Sequence, residues 1–182
     1  MKNIILTLSF FFATTLCFGQ TLGYSGAIAQ YNGHRNIGYG ANVEYGLNVS
    51  TNAAITFSAT LLLANRKEAG FDLSYLQIPV TAGARYYIIK NVISPYVTVE
   101  IGASYSKIER VEMVKFDISP SAEEHQELVR YRNVNLGFGT TIGALINISK
   151  EIDLNISARQ YNVLYIPTSF LAWNVGIIYN LM

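Results

Sequence analysis

Two histidines, His34 and His125, are the side chains of this sequence best suited to acid–base chemistry near neutral pH. A hydrolytic site would add a serine nucleophile and a carboxylate that orients the imidazole. His125 lies in the acidic run 123–127, but the nearby Ser119 and Ser121 fall in an irregular segment and not at strand spacing. The same run offers a His–carboxylate cluster without the ligand spacing of a metal site. We therefore predict no catalytic residue, no metal site and no cofactor.

Charge is concentrated in one segment of the chain. Residues 107–132 carry 11 of the 25 charged side chains, six of them acidic and five basic. One interpretation is a solvated loop, with the hairpin extended beyond the membrane. The other is a binding surface, whose mixed signs favour a protein or a surface polysaccharide over an anionic polymer. The residues predicted to form that surface are Glu109, Arg110, Glu112, Lys115, Phe116, Asp117, Glu123, Glu124 and Glu127.

The elements that position these residues are strands. From Leu22 to Met182, apolar residues alternate with small or polar ones at a period of two, which is the pattern of strands with two different faces. The predicted strands span residues 22–31, 36–47, 52–64, 74–89, 95–108, 131–147, 151–162 and 169–181. Pro79 cannot donate a ladder hydrogen bond, so we expect a bulge or a strand end at that position.

The residues on the face opposite the apolar one indicate whether the strands belong to a soluble barrel or to one in a membrane. That face carries Gly, Asn, Thr, Ser and Ala, whereas a soluble barrel would present Lys and Glu to water. Nine glycines fall on it, at positions 38, 40, 46, 83, 102, 137, 139, 143 and 176. The interior of an eight-stranded barrel is only wide enough for side chains to fill, and small residues suit it. The sequence therefore predicts an all-β fold, an eight-stranded antiparallel up-and-down transmembrane β-barrel whose apolar face meets lipid.

Five charged residues share the interior in this arrangement: Glu44, Arg85, Glu100, Asp153 and Arg159. Unpaired charges are costly inside a narrow lumen, so we expect these residues to pair or to hydrogen-bond. If the fourth and fifth strands pair across their connecting turn, Arg85 lies near Glu100. Such a charge network would plug the lumen; lining a small conductance pathway is the alternative.

The connections between the strands are of two kinds. The links at 48–51, 90–94 and 148–150 are short, whereas those at 66–73 and 109–130 are longer. Short turns at one end and longer loops at the other are typical of membrane barrels, in which the short turns face the periplasm. An even number of strands also places both chain ends on the periplasmic side.

Composition excludes several classes of protein. The chain has 182 residues, of which 51% are hydrophobic and 14% charged, so it is not a disordered chain. A formal net charge of +1 without a basic cluster argues against a nucleic-acid partner. Beyond the extreme N-terminus, no apolar run approaches the roughly 20 residues of a membrane-spanning helix. One domain is expected at this length.

The N-terminus has the features of a secretory signal peptide. It combines a positively charged start, an apolar stretch and small residues at Cys17 and Gly19. We predict a signal peptide at 1–19, with cleavage after Gly19 or Gln20, and a barrel at 20–182. Lipidation of Cys17 is the alternative, although the residue before it is not small. Because Cys17 is the single cysteine, cleavage leaves no disulfide in the mature chain.

Two stretches carry a resemblance to a known family: YLQIPVTAGARYYI at 75–88 and SPYVTVEIGASYS at 94–106. They resemble the outer-membrane β-barrel domain family of Bacteroidetes, whose members are often described as porin-family proteins. The resemblance implies a place in the outer membrane of a Gram-negative bacterium, contact with outer-membrane lipid and with the barrel-insertion machinery, and no catalytic residue. Such barrels usually end on an aromatic residue, whereas this chain ends on Leu181-Met182 and keeps Tyr179 on its apolar face.

The function predicted from the sequence is that of a small monomeric barrel with a structural or surface-binding role, exerted through its extracellular loops and without catalysis. Two alternatives are a narrow pore for small solutes and a lipid-modifying outer-membrane enzyme. A soluble lipocalin-like carrier is a third, but that fold usually has a Gly-x-Trp motif near its start, and the single tryptophan here is Trp173.

Overall fold

The computed structural model describes residues 19–31, 37–68, 71–114, 125–164 and 169–181, with side chains described except at 66–68, 72, 110–114 and 125–128. The segment 1–18, which holds most of the predicted signal peptide, lies outside these residues, so the signal peptide stays a prediction. In the described part of the chain, no helix is long and apolar enough to span a membrane.

Eight antiparallel strands form a closed barrel in which each strand pairs with its sequence neighbours and the first pairs with the last. The strands are β1 Gln20–Tyr31, β2 Ile37–Asn48, β3 Ala53–Glu68, β4 Phe71–Tyr87, β5 Ile93–Val114, β6 His125–Asn147, β7 Ile152–Val163 and β8 Phe170–Leu181. The predicted fold class is confirmed.

The outer wall of the barrel is apolar. Large side chains such as Tyr39, Val99, Val134 and Trp173 are at least 60% exposed, and they alternate along their strands with buried interior residues. A soluble carrier would bury these side chains, so that alternative is wrong for this chain. The assignment of the apolar face to the outside follows the period of two in the sequence.

The apolar wall has the height of a bilayer core. Outward positions on β5 run from Ile93 to Tyr105 without a charged side chain, and the next two are Lys107 and Glu109. Twelve residue steps at about 3.3 Å each, tilted by about 45°, rise about 28 Å. This agrees with the apolar band of about 25 Å that outer-membrane barrels present to lipid.

The interior has three layers. An apolar cluster closes the outer end, where Phe170 stacks on Tyr161 with ring centroids 5.6 Å apart and meets Tyr31 at 6.1 Å. A smaller cluster around Tyr87 and Tyr96 lies near the periplasmic end. Between the two lies a layer of charged and hydroxyl side chains, most of them buried. The core of this barrel is therefore a polar layer enclosed by two apolar ones.

Two predicted connections differ from the structure. The link expected at 66–73 is largely strand, since β3 continues to Glu68 and β4 begins at Phe71. In the link expected at 109–130, residues 109–114 and 125–130 are strand, with Val114 paired to His125. The described residues therefore agree with the interpretation in which the hairpin extends beyond the membrane. Both faces of these extensions carry polar residues, so the alternation that reveals a strand within the membrane is absent there.

Pro79 occupies the middle of β4, and neither a bulge nor a strand end is found at it. The pairing with β5 continues through Pro79 and Ser104. On the other side, β3 pairs with β4 at Ala59–Val80 and again at Leu62–Gln77, with the two intervening pairs missing. The register is the same on both sides of the gap, so no residue is inserted. The missing proline N–H therefore interrupts one ladder locally.

Candidate functional site

A buried ion pair between Arg159 and Glu100 lies in the polar layer of the lumen. Nε of Arg159 donates to Oε1 of Glu100 at 2.6 Å, and Nη2 donates to Oε2 at 2.7 Å. The hydroxyls of Thr81 and Thr141 also donate to this carboxylate, at 2.7 and 3.3 Å, while Thr60 accepts from the guanidinium at 2.6 Å. Both charged side chains are 6% exposed. A two-pronged pair of this kind is among the strongest polar contacts available to a protein.

A glycine on β6 makes this pair possible. Glu100 on β5 is directly opposite Gly139 on β6, and Arg159 on β7 is opposite Thr141 on the same strand. A Cβ at Gly139 would lie 2.8 Å from Oε1 of Glu100. The glycine therefore leaves the space through which Glu100 reaches across β6 to Arg159. The sequence pattern placed both charges inside the barrel but did not indicate that they pair with each other.

A second ion pair joins Arg85 to Glu44. Nη2 of Arg85 donates to Oε2 of Glu44 at 2.7 Å, and Nε donates to Thr98 at 3.1 Å. The guanidinium also lies over the Tyr96 ring, 4.1 Å from its centroid, in a cation–π contact.

The predicted pairing of Arg85 with Glu100 is wrong. Across the β4–β5 turn, Arg85 is opposite Thr98, and Glu100 is opposite Gly83. The actual register differs by two residues from the expected one. A shift of two keeps every side chain on its own face, so the alternation in the sequence cannot detect it.

Asp153, the fifth predicted lumen charge, lies near the periplasmic end. Its two oxygens accept from Asn147 and Asn180, each at 3.1 Å. With Lys90 and Tyr87 it lines an open vestibule of about 290 Å³. Asp153 therefore belongs to the mouth of the barrel and is separate from the two ion pairs.

The polar layer leaves little room for a solute. The cavity beside Glu44, Ser25 and Arg85 has a volume of about 20 Å³. That is close to the space occupied by a single water molecule, which needs at least ~10–15 Å³. Among the described residues, Oε1 of Glu44 and Oγ of Ser25 have no hydrogen-bond partner. The carboxylate oxygen can accept from a molecule of that size, and the hydroxyl can donate to it or accept from it. At this level, the described interior is tightly packed.

A third charged cluster lies on the outer wall, above the apolar band. Oε2 of Glu109 accepts from the backbone N–H and the hydroxyl of Ser74 at 3.1 and 2.9 Å. Oε1 of the same carboxylate lies 3.0 Å from Nε of Arg130 and 3.6 Å from Nζ of Lys107. The hydroxyl of Ser74 chiefly holds the pKa of Glu109 below its usual range, with help from the two cations. Ser74 carried no signal in the sequence, because a single serine on a strand is unremarkable.

The remaining residues of the predicted binding surface have no described side chains: Arg110, Glu112, Lys115, Phe116, Asp117, Glu123, Glu124 and Glu127. The same holds for the two histidines of the enzyme alternative. Within the described residues, no group of three or more His, Cys, Asp or Glu side chains could hold a metal ion.

The comparisons with known proteins agree with this architecture. A family model described as "Outer membrane protein beta-barrel domain" matches residues 12–180. The chain belongs to this family. Membership places this outer-membrane β-barrel protein in the outer membrane of a Gram-negative bacterium. The assignment to Bacteroidetes stays a prediction. The comparison with curated protein sequences gave no match.

Solved structures of other outer-membrane barrels share the fold. Neisserial surface protein A (NspA) is 12% identical with a TM-score of 0.64, and the match covers 90% of this chain and 97% of that one. OprG from Pseudomonas aeruginosa is 10% identical, with a TM-score of 0.59 and coverage of 90% and 96%. Ail from Yersinia pestis, the attachment invasion locus protein, is 16% identical, with a TM-score of 0.57 and coverage of 90% and 97%. Ail has also been solved with the heparin analogue sucrose octasulfate.

Proposed function

We propose that this barrel is a non-catalytic anchor that presents the β5–β6 hairpin at the cell surface for binding. The observation that carries the proposal is the length of this hairpin. Beyond Tyr105, at the top of the apolar band, β5 continues through nine more residues to Val114 and stays paired with β6. With the same rise and tilt as in the membrane, the Val114–His125 pair stands on the order of 20 Å above the band.

The partner we propose is an extracellular protein or polysaccharide. A rigid barrel holds the base of the hairpin in place, and binding residues concentrate in such presented segments. The mixed charges of residues 107–132 suit a partner that also carries both signs or many hydroxyl groups. Ail, which shares the fold, has been solved with the heparin analogue sucrose octasulfate, so a barrel of this fold can bind a saccharide. The mixed charges of residues 107–132 suit a saccharide that is less anionic than heparin.

The lumen supports an anchor over a narrow pore. The Arg159–Glu100 pair crosses the polar layer, and the outer apolar cluster closes the barrel above it. In planar bilayers we expect no single-channel conductance from the purified barrel. A stable conductance that survives repeated reconstitution would contradict the anchor and favour the pore.

The binding role is tested by exchanging the hairpin tip. Residues 111–127 are replaced with a short Gly-Ser turn, and a matched control replaces 67–72 at the neighbouring β3–β4 hairpin. Both variants should insert and keep heat-dependent mobility on detergent gels, because the barrel wall is untouched. Cells that display each variant are then tested for binding to arrays of purified polysaccharides and extracellular matrix proteins.

We expect the 111–127 variant to lose the interactions of the wild type and the 67–72 variant to keep them. If both variants bind the same array members as the wild type, the hairpin is not the binding segment. If the wild type binds nothing that cells without the barrel do not bind, a purely structural role replaces the binding role.

A further inference from the structure

The outer wall turns basic where the apolar band ends on β5 and β6. Tyr105 and Val134 are direct cross-strand partners at the top of the band. The next outward positions on the two strands are Lys107 and Arg132, and Arg130 follows on β6. These are the first charged side chains above the lipid-facing surface, so they lie at the level of the lipid headgroups.

Two of these cations directly face each other. Lys107 and Arg132 are cross-strand partners on the same face of the β5–β6 pair. The Cβ atoms of such partners are about 4.5–5.5 Å apart, and like charges in this position destabilise a sheet. An anion bound between the two side chains would attract both of them and offset their mutual repulsion.

Glu109 does not neutralise the cluster. Both of its oxygens are occupied, one by Ser74 and the other by Arg130 and Lys107. Among the side chains that the structure describes, one carboxylate thus lies among three cations. Arg130 keeps 61% of its side chain exposed in spite of this contact, and Arg132 is exposed as well. The outer face of the guanidinium groups is therefore available to a further anion.

We propose that Lys107, Arg130 and Arg132 form a binding site for the phosphate groups of a phosphorylated lipid in the outer leaflet. Below the cations, Val134 and Leu136 are 70% and 61% exposed on the apolar wall. They offer a surface for the acyl chains. One lipid molecule could therefore contact the cations through its phosphate and the apolar wall through its acyl chains. This site lies on the side of the barrel and is separate from the proposed binding function of the hairpin tip.

The test measures binding of fluorescent lipid A to the full mature barrel in neutral detergent. Each basic residue near an anionic lipid surface contributes about 1 kcal/mol, or roughly fivefold in affinity. The triple variant Lys107→Gln, Arg130→Gln, Arg132→Gln should therefore bind on the order of a hundredfold more weakly. The control is Lys90→Gln with Lys150→Gln, which removes charge at the periplasmic end and should leave the affinity within twofold. Heat-dependent gel mobility checks that each variant is folded.

Further measurements identify the source of the phosphate. A single-residue variant keeps the test valid if the triple variant does not fold. Dephosphorylated lipid A should bind as weakly to the wild type as lipid A binds to the triple variant. Inorganic phosphate at millimolar concentration should not displace the lipid. If the triple variant does not fold, the exposed Arg132→Gln alone should still lower the affinity about fivefold. The proposal is overturned if the cation variants bind normally, if dephosphorylated lipid A binds equally well, or if free phosphate competes fully.

Discussion

Replacing Arg159 with methionine tests the central ion pair of the lumen. The change keeps most of the side-chain length but removes both hydrogen bonds to Glu100 and leaves that carboxylate buried at 6% exposure. Breaking a buried pair from one side typically costs about 3–5 kcal/mol. The hydroxyls of Thr81 and Thr141 still donate to Glu100, so we expect a loss near the lower end, about 3 kcal/mol.

The double-mutant cycle gives the decisive number. Glu100→Gln alone leaves Arg159 as an unpaired buried cation and should cost a similar amount. In the double variant neither charge is present, so its loss should be smaller than the sum of the single losses by about 2–3 kcal/mol. The comparison cycle pairs Arg85→Met with Glu100→Gln. Those two residues share no hydrogen-bond partner in the structure, so their coupling should be clearly smaller than that of Arg159 and Glu100.

The assay is urea unfolding of the barrel in phospholipid vesicles, followed by the fluorescence of Trp173, which lies on the lipid-facing wall. Linear extrapolation gives the free energy of unfolding for each variant. A coupling energy near zero for Arg159 and Glu100 would refute the pairing. A coupling for Arg85 and Glu100 as large as that expected for Arg159 and Glu100 would favour the register that the sequence suggested.

Two further predictions concern space in the lumen and pH at the outer wall. Gly143→Ala should destabilise the barrel by about 1–3 kcal/mol in the same assay, because a Cβ there lies 2.6 Å from the Tyr96 ring; Gly26→Ala, with its nearest atom at 4.0 Å, should be nearly neutral. Glu109 has a pKa below the ordinary 4.5, so its contribution to stability is complete above that value and is lost as the pH falls through the lowered pKa. Hydrogen exchange at the Ser74 amide should therefore rise, relative to the intrinsic exchange rate, only below about pH 4.5 in the wild type. In Glu109→Leu, which has no acceptor, exchange should be raised at every pH, and unchanged protection in that variant would count against the contact.

The fold was predictable because the membrane imposes a simple rule on each strand. Every second residue faces lipid and must be apolar, and the others face a narrow interior and must be small or paired. The residue type at positions such as Val99 and Gly102 on β5 therefore indicates whether that side of the strand faces lipid or the lumen. The eight strands and their order follow from this pattern together with the positions of the turns.

The register and the partners of the charges were not predictable in the same way. Arg85 and Glu100 both carry the right parity for the lumen, but parity is unchanged by a two-residue shift. The partner of Glu100 lies two strands away, so it depends on the curvature of the whole barrel and on the space left at Gly139. No local pattern in the sequence contains that information.

The outer hairpin was underestimated for a related reason. Above the membrane the two faces of a strand meet the same solvent, so selection for alternation disappears. The sequence therefore allowed a hairpin that extends beyond the membrane but could not show how far, and it predicted strand ends at 108 and 131, whereas β5 continues to Val114 and β6 begins at His125.

The glycines on β6 have a consequence for how sequences of this family can diverge. Gly137, Gly139 and Gly143 each leave space that is filled from a neighbouring strand, by Tyr161, Glu100 and Tyr96 in turn. A homologue with a larger residue at one of these positions must have a shorter one at the filling position, because two large side chains cannot share the volume. These positions should therefore vary in pairs across the family. Each such pair in a new sequence would identify two strands that are neighbours in its barrel.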